Sequence, residues 1–383
     1  MSRGKAKGAI IGIGEVPTGR FPETEAIEFA MKSAKLAIED AGIDKDEIDC
    51  IMPTAAMFSG VFTNEMATGR MVEELGLKNV KSNCNIWSGG SSSSNSLKLA
   101  CALVEQGDAK NVLMVQAEKL GTGMPSGQAG IDLFAFSGMS PEWEIPFGQN
   151  FSSLTALATM RYKYETGATD EHMAAVCVSN RKWAEMNPHA FFRKPLTVEE
   201  VMASKMLFDG GEALIVTSAE RAPDVVDKPV YVLGEGGSST HFVFSQEPDM
   251  TRFGFAEAGR QAFEQAGLTA ADIDVAEIYD SYPIYQIIGF EELGFCERGA
   301  AGEIFLRGDT WPGGKIPCTT DGGMLSKGHI GAGGSYALLV ESVRQLRGTA
   351  GERQVPGARF AAETGTGGTY VDAHATILGN EIP

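Results

Sequence analysis

The sequence predicts an α/β fold built from two similar halves, with a loop or lid domain inserted in the first. Segments of strand character alternate with segments of helix character, which is typical of α/β domains with a mostly parallel sheet. The segment AIEDAGIDKDEID at 37–49 recurs as AFEQAGLTAADID at 262–274, with six identities at a constant offset of 225 residues. A period this long indicates two similar domains and not a solenoid. The length of 383 residues suits one large or two fused domains.

The individual elements follow from hydrophobic pattern and from helix-end residues. The apolar run GAIIGIG at 8–14 predicts a buried strand. An amphipathic helix is expected from about Glu25 to Ala41, with Gly42 as its C-cap. Later pairs of a helix and a following strand are NSLKLACALVEQG (95–107) with NVLMVQAEK (111–119), and SYALLVESVRQLRG (335–348) with GARFAAETGTGG (357–368).

These elements divide the chain into three parts. We expect the N-terminal half at 1–119 and 197–245 and the C-terminal half at 246–383. The segment 120–196 is polar and aromatic, carries two helical patterns and is expected to form the loop or lid domain.

Composition excludes several classes of protein. Acidic residues outnumber basic ones by 50 to 32, and a net charge of −18 argues against a nucleic-acid binder. No apolar run is long enough for a membrane helix, and the first one is too short for a signal peptide. The six cysteines are scattered without a CxxC pair, which argues against a zinc or other metal site and against disulfides. A cytoplasmic enzyme fits these features best.

The stretch NCNIWSGGSSSSN at 83–95 is the first candidate site. Its composition suits a flexible linker, but it lies between a predicted strand and its helix, where a catalytic turn is expected. In the second interpretation Cys84 is a nucleophile. A thiolate near a helix N-terminus is stabilised by the helix dipole and by free backbone N–H groups.

Several long segments, in the same order, resemble the thiolase superfamily, and in particular its sterol-carrier-protein thiolase-like branch. They include RYKYETGATDEHMAAVCVSNRKWAEMNPHAFFRKPLTVEEVMASKM (161–206) and EELGFCERGAAGEIFLRGDTWPGGKIPCTTDGGMLSKGHIGAGG (291–334). The resemblance implies two repeated βαβαβ-type halves, a homodimer, and chemistry on a carbon–carbon bond of an acyl-CoA, with coenzyme A as a substrate. Divergent members of this branch commonly work with a small partner protein. The resemblance therefore also implies a partner subunit with a zinc ribbon and an OB-fold, in a heterotetramer.

The resemblance assigns roles to the loop SKGHIGAGG. His329 is implied to activate the nucleophile or to hold an oxyanion, although the proline that usually follows is absent. The glycines Gly328, Gly331 and Gly333 would let the backbone approach the thioester. The turn GTGG at 365–368, with Gly367, would contribute backbone N–H groups.

Two segments depart from the family pattern. Where the branch usually has His-Asp-Cys-Phe, this chain has Tyr279 and Ser281 in YDSYP. A serine has too high a pKa to replace a thiol as a base without an activator, whereas a tyrosine can donate a hydrogen bond or a proton. Counting back from the helix, the family's cysteine position falls on Gly90, beside Gly89. Cys84 can still serve if the turn holds an insertion, and the sequence leaves both alternatives open.

Three functions are compatible with these residues. The first is a divergent thiolase that uses coenzyme A to cleave a β-ketoacyl-CoA with a bulky, aromatic or branched acyl group through a Cys84 acyl-enzyme, similar to benzoylsuccinyl-CoA thiolases of aromatic catabolism. A shortened segment between Ser204 and Asp209 is expected to reshape its acyl pocket. The second is a retro-aldolase that acts on a β-hydroxyacyl-CoA through Tyr279, without a covalent intermediate. The third is a non-catalytic scaffold subunit.

Overall fold

The structure is a computed structural model that describes residues 6–54, 64–123, 139–201, 209–241, 243–368 and 370–383. Within those residues, nine strands form one sheet with helices on both faces. The strands are β1 (Gly8–Gly19), β2 (Cys50–Thr54), β3 (Ser82–Asn83), β4 (Asn111–Lys119), β5 (Asp209–Ser218), β6 (Val230–Ser239), β7 (Val275–Glu277), β8 (Phe360–Gly367) and β9 (Asp372–Gly379). The helices are α1 (Ala26–Ala41), α2 (Asn64–Leu75), α3 (Ser92–Gln106), α4 (Leu120–Gly123), α5 (Phe151–Thr166), α6 (Asp170–Glu185), α7 (Val198–Val201), α8 (Phe255–Ala266), α9 (Pro283–Glu292), α10 (Ala301–Arg307), α11 (Gly323–Ser326) and α12 (Gly334–Arg347).

The strand order is β3-β2-β4-β5-β1-β6-β9-β8-β7, so each half of the chain supplies one side of the sheet. The halves meet where β1 and β6 pair antiparallel through residues 8–10 and 230–232. Only β2–β3, β2–β4 and β7–β8 are parallel pairs among the described strands. The expectation of a mostly parallel sheet was therefore wrong. The short turn from β8 to β9 has no room for a crossover helix and forces an antiparallel pair.

The internal repeat is confirmed as a structural repeat. Helix α1 ends at Gly42 and helix α8 ends at Gly267, and both glycines have left-handed backbones, with φ of 64° and 70°. Each helix is followed by a 3₁₀ turn, Lys45–Glu47 or Ala270–Asp272, and then by a strand, β2 or β7. Because only glycine adopts this backbone without cost, the shared Ala-Gly of the two segments marks equivalent helix ends.

Strand β6, which the predicted bounds assign to the N-terminal half, lies on the side of the sheet formed by the later strands. It pairs with β9 along residues 231–239, and helix α8 packs on it as α1 packs on β1. We propose Val230, the first residue of β6, as an alternative start of the second half.

The loop domain contains the two expected helices, α5 and α6. Two predicted features lie outside the described residues. They are most of the shortened segment between Ser204 and Asp209, because 202–208 are not described, and residues 124–138 of the proposed lid. Among the helices of the described residues, none has the length and apolar character needed to cross a membrane.

Helices α3 and α12 position the site because they lie side by side in the core. Leu97 and Val104 of α3 share one buried apolar cluster with Leu339 and Val343 of α12. The N-termini of the two helices meet, and there the Ser93 hydroxyl forms a hydrogen bond with the Ser335 hydroxyl of α12. Each helix begins at a glycine-rich turn, so two such turns are brought together at one place.

Candidate active site

The stretch at 83–95 is an ordered turn and not a linker. Residues 89–91 form one 3₁₀ turn that runs directly into α3. The Ser92 hydroxyl donates to the Gly89 carbonyl at 2.6 Å, and the Ser91 hydroxyl lies 2.8 Å from the Ser88 carbonyl. The four serines 91–94 are buried. The Ser93 and Ser94 hydroxyls bond to the side chains of Ser335 and Glu363, so the four serines fix the turn locally and tie it to other parts of the chain.

Tyr279 fills the space beside Gly90. A β-carbon on Gly90 would collide with the Tyr279 hydroxyl and lie 2.5 Å from Cζ of the same ring and from the Thr366 carbonyl. The Gly90 carbonyl in turn accepts a hydrogen bond from the Ser335 hydroxyl at 2.5 Å. Glycine is therefore required at position 90 by the tyrosine, and a cysteine there would exclude it.

The Tyr279 phenol is held from several sides. Its backbone N–H donates to the Thr364 hydroxyl at 2.9 Å, and its ring meets Tyr285 edge-on at 5.8 Å between centroids. Only 5% of the residue is exposed. Burial, and then the neighbouring Asp280 carboxylate, raise the pKa of Tyr279 well above its usual value. The group is therefore a neutral phenol at physiological pH, able to donate a hydrogen bond and to accept one.

Asp280 and Ser281 support this phenol in different ways. The Asp280 carboxylate is fully buried and accepts from the Asn180 side chain at 2.6 Å and from the Met324 backbone N–H at 2.9 Å. Burial raises the pKa of Asp280 to about 7. Its bonds tie the loop after β7 to the loop domain, which is a positioning role. The Ser281 hydroxyl lies close enough to Tyr279 to lower its pKa, and otherwise has no hydrogen-bond partner among the described residues.

His329 is a neutral imidazole with one nitrogen committed. Burial lowers the pKa of His329 to about 4. Its Nδ1 accepts a hydrogen bond from the Gly331 backbone N–H at 3.1 Å. The proton of the neutral ring must therefore sit on Nε2, which becomes a hydrogen-bond donor. The neighbouring carbonyl of Ile330 is held by the Gln116 side chain at 3.2 Å, which helps to fix the loop.

Cys84 lies just after the edge strand β3. Its backbone N–H donates to the Ile51 carbonyl at 3.2 Å, which extends the pairing with β2. Its half-buried side chain packs against the apolar cluster that contains Cys50 and Leu97. Among the described residues, Cys84 makes no hydrogen bond to Tyr279 or His329.

The predicted binding glycines are packed against the protein itself. A β-carbon on Gly367 would collide with the Ser88 carbonyl, and one on Gly333 would collide with the Gln116 side chain. Gly89, with φ of 62°, would place a β-carbon 3.2 Å from the Gly368 nitrogen. Gly331 and Gly328 also have positive φ, 67° and 133°. Gly89 and Gly367 therefore let the turns at 88–91 and 365–368 approach each other, whereas Gly331 and Gly333 let the loop at 328–333 pack closely on β4 and the residue after it.

Asp372 anchors the turn before α3, and the sequence-based prediction did not include it. Its carboxylate accepts from the Ser91 hydroxyl at 2.5 Å and from the Asn95 amide at 3.4 Å. Its other oxygen bonds to His374 Nε2 at 3.0 Å. The signal was the alternating Asp-Ala-His at 372–374, separated by three residues from the GTGG turn, and this alternation places both polar side chains on one face of β9.

Known proteins resemble this chain over nearly its whole length. Residues 236–380 match the family described as Thiolase C-terminal domain-like. The chain is 33% identical to an acetyl-CoA acetyltransferase of Methanothermobacter thermautotrophicus, over 94% of this chain and 96% of that protein. It is 30% identical to the steroid side-chain-cleaving aldolase of Thermomonospora curvata, with 97% of each covered. It is also 30% identical to the benzoylsuccinyl-CoA thiolase subunit BbsB of Thauera aromatica, with 94% of each covered.

Solved structures agree in fold. The Ltp2-ChsH2(DUF35) aldolase superposes with a TM-score of 0.84 at 27% identity, over 97% of each chain. Human mitochondrial 3-ketoacyl-CoA thiolase superposes with a TM-score of 0.73 over 98% of each chain, at 14% identity.

Proposed function

We propose that this chain, which belongs to the thiolase family, is an aldolase-type lyase. It cleaves a carbon–carbon bond of a β-hydroxyacyl-CoA. The observation that carries the proposal is the contact between Tyr279 and Gly90. At the helix N-terminus where the family's cysteine is expected, this chain has a glycine, and a neutral phenol occupies the space. A phenol there favours proton transfer over covalent acyl transfer.

Tyr279 acts as a proton relay. The Cα–Cβ bond breaks in one concerted step. Its electron pair passes to the α-carbon and gives the thioester enolate character, while the Tyr279 proton goes to the α-carbon and the Tyr279 oxygen takes the proton of the β-hydroxyl. The products are a ketone or aldehyde and a shortened acyl-CoA. A phenol with a raised pKa suits this exchange because the free enzyme never has to ionise it.

His329 stabilises the enolate. Its Nδ1 is occupied by the Gly331 N–H, so its Nε2–H is the donor directed at the thioester oxygen. A single preorganised donor to an oxyanion is typically worth about 10²–10³ in kcat. Ser281 orients the Tyr279 hydroxyl. The backbone N–H groups around Gly89, Gly328 and Gly367 complete the site for the coenzyme A thioester.

Thiolysis through Cys84 is the second candidate. The relatives named acetyl-CoA acetyltransferase and benzoylsuccinyl-CoA thiolase subunit support it, and Cys84 is a free, half-buried thiol. In this alternative the Cys84 thiolate attacks the β-carbonyl of a β-ketoacyl-CoA, the Cα–Cβ bond breaks, and a shortened acyl-CoA leaves as an enolate that takes a proton. Coenzyme A then attacks the Cys84 thioester, which releases a second acyl-CoA and restores the thiol.

The acyl group is proposed to be bulky and ring-bearing. Two relatives have names that refer to a steroid side chain and to benzoylsuccinyl-CoA. Aromatic side chains lie beside Tyr279: Tyr285 packs edge-on against it, and the Tyr282 ring lies 6.3 Å from that of Tyr285 and 5.7 Å from that of Phe151. Flat apolar surfaces of this kind favour ring systems.

We also propose a homodimer that works in the cytoplasm with a small zinc-ribbon and OB-fold partner. The solved Ltp2-ChsH2(DUF35) aldolase is a complex, and BbsB is named as a subunit. Co-expression with neighbouring gene products, followed by size-exclusion chromatography, tests this assembly. A lone chain that is monomeric and fully active would contradict it.

The decisive experiment compares Tyr279→Phe with Cys84→Ala on two substrates, a ring-bearing β-hydroxyacyl-CoA and the matching β-ketoacyl-CoA with coenzyme A. We expect Tyr279→Phe to abolish cleavage of the β-hydroxyacyl-CoA and Cys84→Ala to retain it. Loss of β-ketoacyl-CoA cleavage in Cys84→Ala, with Tyr279→Phe still active, would establish the thiolase alternative. If the wild type turned over neither substrate, with or without the partner, the chain would be a scaffold subunit.

A further inference from the structure

A cavity lies away from the catalytic turns, beside the C-terminal end of α12. Its volume is about 430 Å³, which lies within the usual range for small-molecule sites. It is lined by residues 186–189 after α6 and by 349–353 after α12, together with Arg193 and Arg344. Nothing in the proposed reaction uses these side chains.

Arginine side chains line the cavity, and two of them are bound by buried carboxylates that do not line it. Arg344 Nη1 lies 2.6 Å from Glu15, and Arg353 forms a two-point ion pair with Glu341, with both contacts at 2.8 Å. Glu15 and Glu341 are fully buried and do not line the cavity. Each guanidinium group is therefore held in place by a buried carboxylate, and both arginines line the cavity.

Several donors at this surface are unused. Among the described residues, Nε and Nη2 of Arg344 and Nη1 of Arg353 have no hydrogen-bond partner. Arg193 is exposed, and its Nη2 donates only to the Glu185 carbonyl at 3.3 Å. His189 bonds to Glu15 through Nδ1 at 2.5 Å, which leaves its Nε2 free to act on a ligand.

The arrangement is fixed by a buried charge network. Burial would raise the pKa of Glu15, but Arg344 and then Lys327 hold it well below its usual range. Lys327 also lies 3.1 Å from Asp321. Glu15 therefore stays ionised, and Arg344 does not need to be ordered when a ligand binds, which reduces the cost of binding.

We propose that this cavity is a binding site for a small polyanion, a phosphate or polycarboxylate compound, held by Arg193 and Arg344 with Arg353 behind them. Arginine forks match the geometry of phosphate and carboxylate oxygens. The concentration of arginines also contrasts with the net charge of −18 of the whole chain. Glu352 borders the cavity as well, but it is exposed, so water and salt screen its charge.

Isothermal titration calorimetry of the full chain at constant ionic strength tests the site, with inorganic pyrophosphate and malonate as the two probes. The wild type should bind at least one probe saturably at one site per chain, and the tighter probe identifies the chemistry. Arg193→Ala should weaken that binding by about tenfold or more. The matched control is Arg260→Ala, an exposed arginine of α8 paired with Glu257, which should bind like the wild type.

Two outcomes would overturn the proposal. One is no saturable binding of either probe by the wild type at up to about 10 mM, far weaker than a functional site requires. The other is equal weakening by Arg193→Ala and Arg260→Ala, which would indicate a general effect of charge. Both variants alter exposed side chains, so circular dichroism can confirm that they fold. The result is independent of whether the catalytic proposal holds.

Discussion

Replacing Gly90 by alanine should damage both stability and catalysis, because the added carbon has nowhere to go. It would collide with the Tyr279 hydroxyl and lie 2.5 Å from the Thr366 carbonyl. Relief requires a shift of roughly 1 Å, and Tyr279 is 5% exposed and packed edge-on against Tyr285. Overpacking of this kind costs about 1–3 kcal/mol. Displacing a catalytic group by about 1 Å lowers turnover by about 10²-fold.

The assay measures the free energy of unfolding by urea denaturation and kcat on the β-hydroxyacyl-CoA. Gly69→Ala is the matched control, since Gly69 lies in α2 without a positive φ and a β-carbon added there would have no atom within 4 Å. It should be neutral or stabilise the protein by up to about 1 kcal/mol. If Gly90→Ala were as stable as the wild type to within about 0.5 kcal/mol and as active, the contact between Gly90 and Tyr279 would not exist as described.

Three further changes test the surroundings of the site. His329→Asn should lower kcat by about 10²- to 10³-fold. Because the pKa of His329 is about 4, the wild-type pH–rate profile should show no histidine step between pH 5.5 and 8, roughly the range of an ordinary imidazole. Burial raises the pKa of Glu363 to about 8 from 4.5, so the folded state retains a proton that the unfolded chain releases, and the free energy of unfolding should fall as pH rises between those values. Glu363→Gln should make that slope shallower in urea titrations at several pH values, and the part that remains comes from other buried carboxyls with raised pKa values, such as Asp280. Asp372→Ala removes the acceptor shared by Ser91, Asn95 and His374 and should lower the free energy of unfolding by about 1–3 kcal/mol, whereas an unchanged urea midpoint would contradict the anchoring role.

Local features of the sequence predicted local structure well. The helix before Gly42 and its equivalent before Gly267 follow from short-range rules, because a left-handed glycine ends a helix wherever it occurs. The repeat also predicted that two halves share one plan. The direction of strand pairing could not be predicted from the sequence. Strands β1 and β6 pair across the two halves, and no local sequence pattern determines whether such a pair is parallel or antiparallel.

In the candidate site, too, local features could be predicted from the sequence and tertiary contacts could not. The glycine-rich turns and His329 were visible in the sequence as residue types, and their positions near helix N-termini could be expected. The occupation of the space at Gly90 by Tyr279 could not, because it depends on the packing of β7 and β8 against the turn at 88–91. Asp372 was missed for a similar reason, since its partners are far away in the chain and each bond is a tertiary contact.

The central claim is that the reaction proceeds without an acyl-enzyme, and intact-protein mass spectrometry tests it directly. The full chain, with its partner subunit if one is required, is mixed with excess acyl-CoA substrate and quenched in acid during turnover. We predict that the protein keeps its unmodified mass at every time point while products accumulate. A transient mass increase equal to the acyl group, present in the wild type and absent in Cys84→Ala, would contradict the account and establish Cys84 as the nucleophile.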